Sequence, residues 1–125
     1  MIKGLGIDLM ETDRMEQKVL SSPGFRELVF SAAEILFCES CTNKYEHYAA
    51  RFAAKEAFLK AAGTGWRGDA AFHEIEIVKT ELGKPEIELS GKTAEMFDGL
   101  VSYKIHVSLT HLKSLAAAVV VIEEI

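Results

Sequence analysis

The sequence predicts an α+β fold: a long alanine-rich helix occupies the middle of the chain, alternating strands flank it at both ends, and two pairs of these strands sit close enough to form antiparallel hairpins. No internal repeat, linker or low-complexity stretch interrupts this order, so the chain is expected to form one domain over residues 1–125.

Leu5, Ile7 and Leu9 alternate with Gly6 and Asp8, which reads as a strand with one apolar face and an acidic group beside a glycine on the other. A helix is expected from Thr12, placed to cap it, to Leu20, before the Ser21-Ser22-Pro23-Gly24 break. A shorter helix follows over Phe25 to Phe30. Asn43 is placed to cap the central helix, Glu46 stands three residues on, and Gly63-Thr64-Gly65 ends it. Ile75 and Ile77 alternate before Glu81-Leu82-Gly83-Lys84-Pro85, and Ile87 and Leu89 after it, which predicts a hairpin. Lys92 to Phe97 adds a short helix. The final pair, Ile105 to Leu109 and Ala116 to Ile122, is joined by Thr110 to Leu115, and its second member is apolar enough to be buried on both faces.

Composition narrows the function. The 125 residues are 49% hydrophobic and 26% charged, an ordinary balance for a folded protein. No apolar run reaches the roughly 20 residues that span a bilayer, and the start lacks a signal-peptide pattern, so a cytoplasmic protein with no membrane partner is expected. A net charge of −5 argues against a nucleic-acid partner, which calls for a basic surface. Cys38 and Cys41 are the only cysteines and are expected to be reduced bystanders.

On the central helix, Tyr45, Ala49, Phe52, Ala53, Glu56 and Lys60 fall within about one third of the circumference. Glu56 and Lys60 can therefore be an ordinary i,i+4 pair contributing a few tenths of a kcal/mol, or charged groups aimed at a ligand across a small-residue surface. If Asp8 approached Glu56, the two carboxylates would need a proton or a cation between them, and hard oxygen ligands suit Mg²⁺. Lys44, Arg51 and Lys55 form a second stripe, either a solvated basic edge or a set of phosphate holders. His111 follows a strand beside Ser108 and Thr110, where a loop can present donors to phosphate, although a lone histidine is more often structural.

Four blocks carry a likeness: Gly6-Ile7-Asp8-Leu9 with Arg14; Arg51-Phe52-Ala53-Ala54-Lys55-Glu56-Ala57-Phe58-Leu59-Lys60-Ala61 through Gly63-Thr64-Gly65; Gly83-Lys84-Pro85; and His106 to His111 leading into Ala116 to Glu123. Together they resemble the holo-acyl-carrier-protein synthases, the small bacterial type of 4′-phosphopantetheinyl transferase. The resemblance implies an antiparallel sheet packed with a long central helix, in a homotrimer with coenzyme A between neighbouring subunits. It implies transfer of phosphopantetheine from coenzyme A to a serine of an acyl carrier protein, releasing 3′,5′-ADP, in support of fatty acid biosynthesis. It makes Asp8 and Glu56 the Mg²⁺ ligands and, with Lys60, the catalytic set. Lys44, Arg51, Lys60, Gly63, Lys84, Pro85, Ser108 and His111 would line the coenzyme A site. Arg14, Lys18 and Arg26 would meet the acidic carrier, though here they are interleaved with Glu11, Asp13, Glu16 and Glu27. The resemblance assigns nothing to the stretch 34–41. A non-catalytic nucleotide binder and a Mg²⁺-dependent hydrolase of diphosphates remain alternatives that product analysis separates.

Overall fold

A computed structural model describes residues 1–63, 71–97 and 102–125; Thr64 and Gly65, expected at the end of the central helix, lie outside these. The elements run β1 (Ile2–Glu11), α1 (Thr12–Ser21), α2 (Phe25–Val29), α3 (Ala32–Glu39), α4 (Lys44–Ala62), a 3-10 turn (Phe72–Glu74), β2 (Ile75–Lys79), β3 (Pro85–Leu89), α5 (Gly91–Phe97), β4 (Tyr103–His111) and β5 (Leu115–Glu124). The architecture is α+β, as expected. A three-stranded antiparallel sheet is ordered β1-β5-β4, and β2 pairs with β3 in a separate hairpin.

Alternation along β5 decides where the core lies. Ala116, Ala118, Val120 and Ile122 are buried against α4, whose own buried face includes Ala49, Ala53 and Ala57. The residues between them are only half-buried, which corrects the expectation that this strand is covered on both faces. β1 follows the same geometry with unusual residues. Its Gly4 and Gly6 face α4, while Leu5, Ile7 and Leu9 point outward and are 65%, 64% and 60% exposed. The two faces of β1 divide as expected, but small size, rather than hydrophobicity, puts the glycine face inside.

Two capping expectations fail locally. Glu11 holds the N-cap position of α1, so Thr12 is already helical, and its Oγ1 has no hydrogen-bond partner among the described residues. Asn43 occupies the N-cap of α4, but its side chain makes no capping bond; its carbonyl accepts from the Glu46 N–H instead. The other end of α4 behaves as predicted: Gly63 takes φ 79° and donates its N–H to the Lys60 carbonyl at 3.1 Å. Gly83, at φ 82°, turns the β2–β3 hairpin. Both cysteines are free, and burial pushes the Cys38 thiol up to about 12.

Helix α3, for which no helix was expected, begins in a capping box in which Ser31 and Glu34 bond each other's backbone N–H. Glu34 is itself buried, and Lys55 of α4 donates to its Oε1 at 2.8 Å, with both side chains fully buried. Lys55 also donates to the carbonyls of Phe72 at 2.9 Å and Ile75 at 2.5 Å, and Glu34 Oε2 accepts the Ile77 N–H at 2.8 Å. Burial holds the Lys55 amine below the usual lysine range, and the Glu34 charge works the other way. One ion pair thus ties together α3, α4, the 3-10 turn and β2.

Removing one member of such a pair leaves the other charge buried and unpaired. Lys55→Met should therefore lower the unfolding free energy by about 3–5 kcal/mol. Urea unfolding at fixed protein concentration checks this, and a loss below about 1 kcal/mol would contradict the buried pairing.

Candidate active site

A second meeting of sequence-distant charges, this one accessible from solvent, is made by β1 and α4. A methyl group at Gly6 would overlap the backbone carbonyl of Ala57, and one at Gly4 that of Ala61. The strand therefore lies directly on the helix backbone, with room only for hydrogen at these positions. Asp8, two residues beyond Gly6 on the same face, meets the last turns of α4. There Lys60 Nζ donates to Asp8 Oδ1 at 3.0 Å and to the Ile7 carbonyl at 3.1 Å. The Asp8 side chain is 12% exposed and that of Lys60 is 54% exposed, so a nearly buried carboxylate faces an accessible amine. The i,i+4 reading of Glu56 and Lys60 does not describe this lysine, whose bonds cross to the strand.

Glu56 is half-buried one turn away. Burial, and after it the negative charge of Asp8, raises its carboxyl above the ordinary range, while Lys60, Arg14 and Lys18 oppose the shift. The structure thus brings Asp8, Glu56 and Lys60 together and sets the two basic residues of α1 within electrostatic reach. A carboxylate with raised proton affinity beside another carboxylate and an amine is equipped to take a proton or share a cation.

The other candidate residues are dispersed. Arg51, Pro85 and His111 line a cavity of about 190 Å³ between α4, the hairpin turn and β4. Lys84 and Pro85 line a neighbouring groove of about 520 Å³ between β3 and β4. Ser108 is exposed and pairs with Val119 on the outward face of the sheet, away from its neighbour Leu109, which lines the Arg51 cavity. Lys44 bonds Glu39 at 3.2 Å and, with Arg26, borders a third groove against α1 and α2. Arg26 also pairs with Glu27 and Glu39. Gly63 serves as the helix stop.

The reading of Lys44, Arg51 and Lys55 as a solvated edge is corrected for Arg51 and Lys55, while Lys44 keeps a side chain that is 36% exposed. Arg51 is only 3% exposed, stacked on Phe37, and Lys55 is fully buried. A charged residue reads as solvated until a partner distant in sequence is known, and Glu34 and Phe37 lie well upstream on another helix. Sequence reasoning also missed His47 and Lys79, which share the Arg51 cavity. His47 stands one helical turn before Arg51, a spacing that could have flagged it; nothing along the chain marks Lys79.

With this geometry in view, the comparisons with known proteins are specific. The family model described as the 4′-phosphopantetheinyl transferase superfamily matches residues 4–120. A holo-acyl-carrier-protein synthase of Ruminiclostridium cellulolyticum is 50% identical over 120 residues, 94% of this chain and 90% of that protein. One from Cytophaga hutchinsonii is 45% identical over 122 residues, covering 96% of each. Among solved structures, the Neisseria meningitidis holo-acyl-carrier-protein synthase superposes with a TM-score of 0.89 at 30% identity, over 99% of this chain and 100% of that one. The Bacillus anthracis enzyme, solved in complex with coenzyme A (3′,5′-ADP), gives 0.83 at 33% identity, over 100% and 99%. The match runs through the strand and the helix that build the Asp8, Glu56 and Lys60 cluster, and the chain belongs to the 4′-phosphopantetheinyl transferase superfamily.

Proposed function

We propose that this chain is a holo-acyl-carrier-protein synthase that moves the 4′-phosphopantetheine of coenzyme A onto a serine of apo acyl carrier protein, releasing 3′,5′-ADP and supplying fatty acid biosynthesis. The observation that carries the proposal is the Asp8–Lys60 pair beside a Glu56 carboxyl of raised proton affinity. A diphosphate substrate needs positive charge for its oxygens and a base for the attacking hydroxyl, and this cluster offers both.

Asp8 and Glu56 also fit Mg²⁺. Among the described residues no group of three or more histidine, cysteine or acidic side chains forms a closed cage. Mg²⁺ uses one or two carboxylates and leaves other positions for water and substrate phosphate, which is the donor set found here. Bound there, it would supply neutralising charge to the diphosphate oxygens.

In the reaction the carrier serine Oγ forms a bond to the β-phosphorus of coenzyme A, and the bond from that phosphorus to the bridging oxygen of 3′,5′-ADP breaks. Glu56 takes the serine proton, helped by the burial that raises its proton affinity. Lys60, accessible and held by Asp8 and the Ile7 carbonyl, faces the charge that grows on the departing phosphate. Arg14 and Lys18, with Arg26 further along, are assigned to docking the acidic carrier.

We place coenzyme A between copies of the chain, arranged as a cytoplasmic homotrimer of single-domain subunits. Two observations support this. Leu5, Ile7 and Leu9 form an exposed apolar row on the outer face of the sheet, which a second copy can cover. Arg51 and Lys60 leave α4 on opposite sides, about 180° apart at 3.6 residues per turn, so one coenzyme touching both residue types is best held by two copies.

Incubation with apo acyl carrier protein, coenzyme A and Mg²⁺, followed by intact-mass spectrometry of the carrier, should show the phosphopantetheine adduct. Excess chelator should abolish it and added Mg²⁺ restore it; release of phosphopantetheine without carrier modification would identify a hydrolase instead. Lys60→Ala should lower kcat by about 10²-fold or more with a smaller change in KM for coenzyme A. Near-normal kcat in the folded variant would remove Lys60 from the mechanism.

A further inference from the structure

The buried ion pair between α3 and α4 has a geometry that stability alone does not call for. The Lys55 ammonium has three hydrogens and meets three acceptors: Glu34 Oε1 at 2.8 Å, the Phe72 carbonyl at 2.9 Å and the Ile75 carbonyl at 2.5 Å. Glu34 accepts three donors in return, the Ser31 N–H and Lys55 on Oε1 and the Ile77 N–H on Oε2, each at 2.8 Å. Ser31 Oγ donates to Glu76 Oε2 at 2.5 Å, a further tie between α3 and β2. With every ammonium hydrogen assigned, Lys55 fits in one direction only. An apolar pair of similar volume would serve stability as well or better.

The side of α4 that meets β1 is keyed less firmly. There Gly4 and Gly6 lie on the helix backbone at Ala61 and Ala57. Methyl groups against a strand without side chains offer few ridges and grooves, so this contact specifies the rotation of the helix weakly. The Asp8–Lys60 bond ends on a lysine that is 54% exposed, so it follows the helix more than it fixes it. Glu56 depends on that rotation, because it follows Lys55 directly and leaves the helix about 100° from it, on the side that feels Asp8. A carboxylate roughly 6 Å from the helix axis moves by about 1 Å when the helix turns by about 10°, and a misplacement of that size costs about 10²-fold in rate.

We infer that Glu34 is a positioning residue of the transfer reaction: through Lys55 it sets the rotation of α4 and so aims Glu56 at β1. The inference rests on the transferase reading proposed above. The role needs a carboxylate, since a glutamine of the same size would turn an amide N–H toward the Ile77 N–H or toward the Lys55 ammonium, donor against donor.

The variant Glu34→Leu/Lys55→Met removes both charges together, so neither is left buried and unpaired. Its urea midpoint should equal or exceed that of the wild type. Its kcat for carrier modification should nevertheless fall by about 10²-fold or more, with KM for coenzyme A within about twofold of the wild type. In NMR spectra of the same variant, the amide resonances of Gly6 and Asp8, on the strand across the helix, should shift. If the double variant fails to fold, Glu34→Gln, assayed well below its own unfolding temperature, should lower kcat by about tenfold or more at a similar KM. A folded variant with wild-type kcat overturns the positioning role, and so does a loss of kcat with the Gly6 and Asp8 resonances unmoved. A wild type that transfers nothing to the carrier, beside a double variant whose Gly6 and Asp8 resonances shift, upholds the aiming of α4 while the transferase reading fails.

Discussion

The contact on which the rest depends is the seating of β1 against the backbone of α4, made possible by Gly4 and Gly6 opposite Ala61 and Ala57. A side chain at either glycine would hold strand and helix apart. With hydrogen there, Asp8 comes within bonding distance of Lys60 and within electrostatic reach of Glu56, although the residues are about fifty positions apart in sequence. The cluster therefore follows from close packing, with the charges carried on elements that the core already needs.

The second constraint sets the rotation of α4. Lys55 and Glu56 are adjacent, so they leave the helix about 100° apart. Lys55 is fixed on the inner side by Glu34 and two backbone carbonyls, and this determines that Glu56 faces β1. Such a pair adds little net stability compared with a well-packed apolar replacement. Its value here lies in direction: it names one orientation of the helix and links it to the hairpin whose Gly83 and Pro85 border the Arg51 cavity.

Much of this was legible in the sequence because it is local. Alternation in β1, the apolar run that became β5, the alanine-rich helix with its glycine stop and the glycine-proline hairpin turn all announce themselves within a few residues, and the Asp8, Glu56 and Lys60 set came from the motif likeness. The misreadings are non-local. Lys55 and Arg51 looked solvated because their partners Glu34 and Phe37 sit on α3, an element whose capping pair Ser31 and Glu34 was present but unread. The inward face of β1 was set by the bulk of its side chains, against their hydrophobicity, and only the helix backbone above it reveals that choice. Asn43 had the right position for a cap and another bonding pattern, since the turn before α4 supplied a carbonyl instead.

The central claim is that the close approach of β1 to α4 builds the site, and Gly6→Ala tests it most directly. The added methyl cannot be absorbed by a flexible side chain, because what it meets is backbone. Carrier modification by this variant, measured beside its thermal unfolding, should fall by about 10²-fold or more even where the protein stays folded, since displacing Asp8 from Lys60 and Glu56 by about 1 Å is enough to lose that much. A Gly6→Ala protein with wild-type transfer rate and wild-type unfolding temperature would contradict the account.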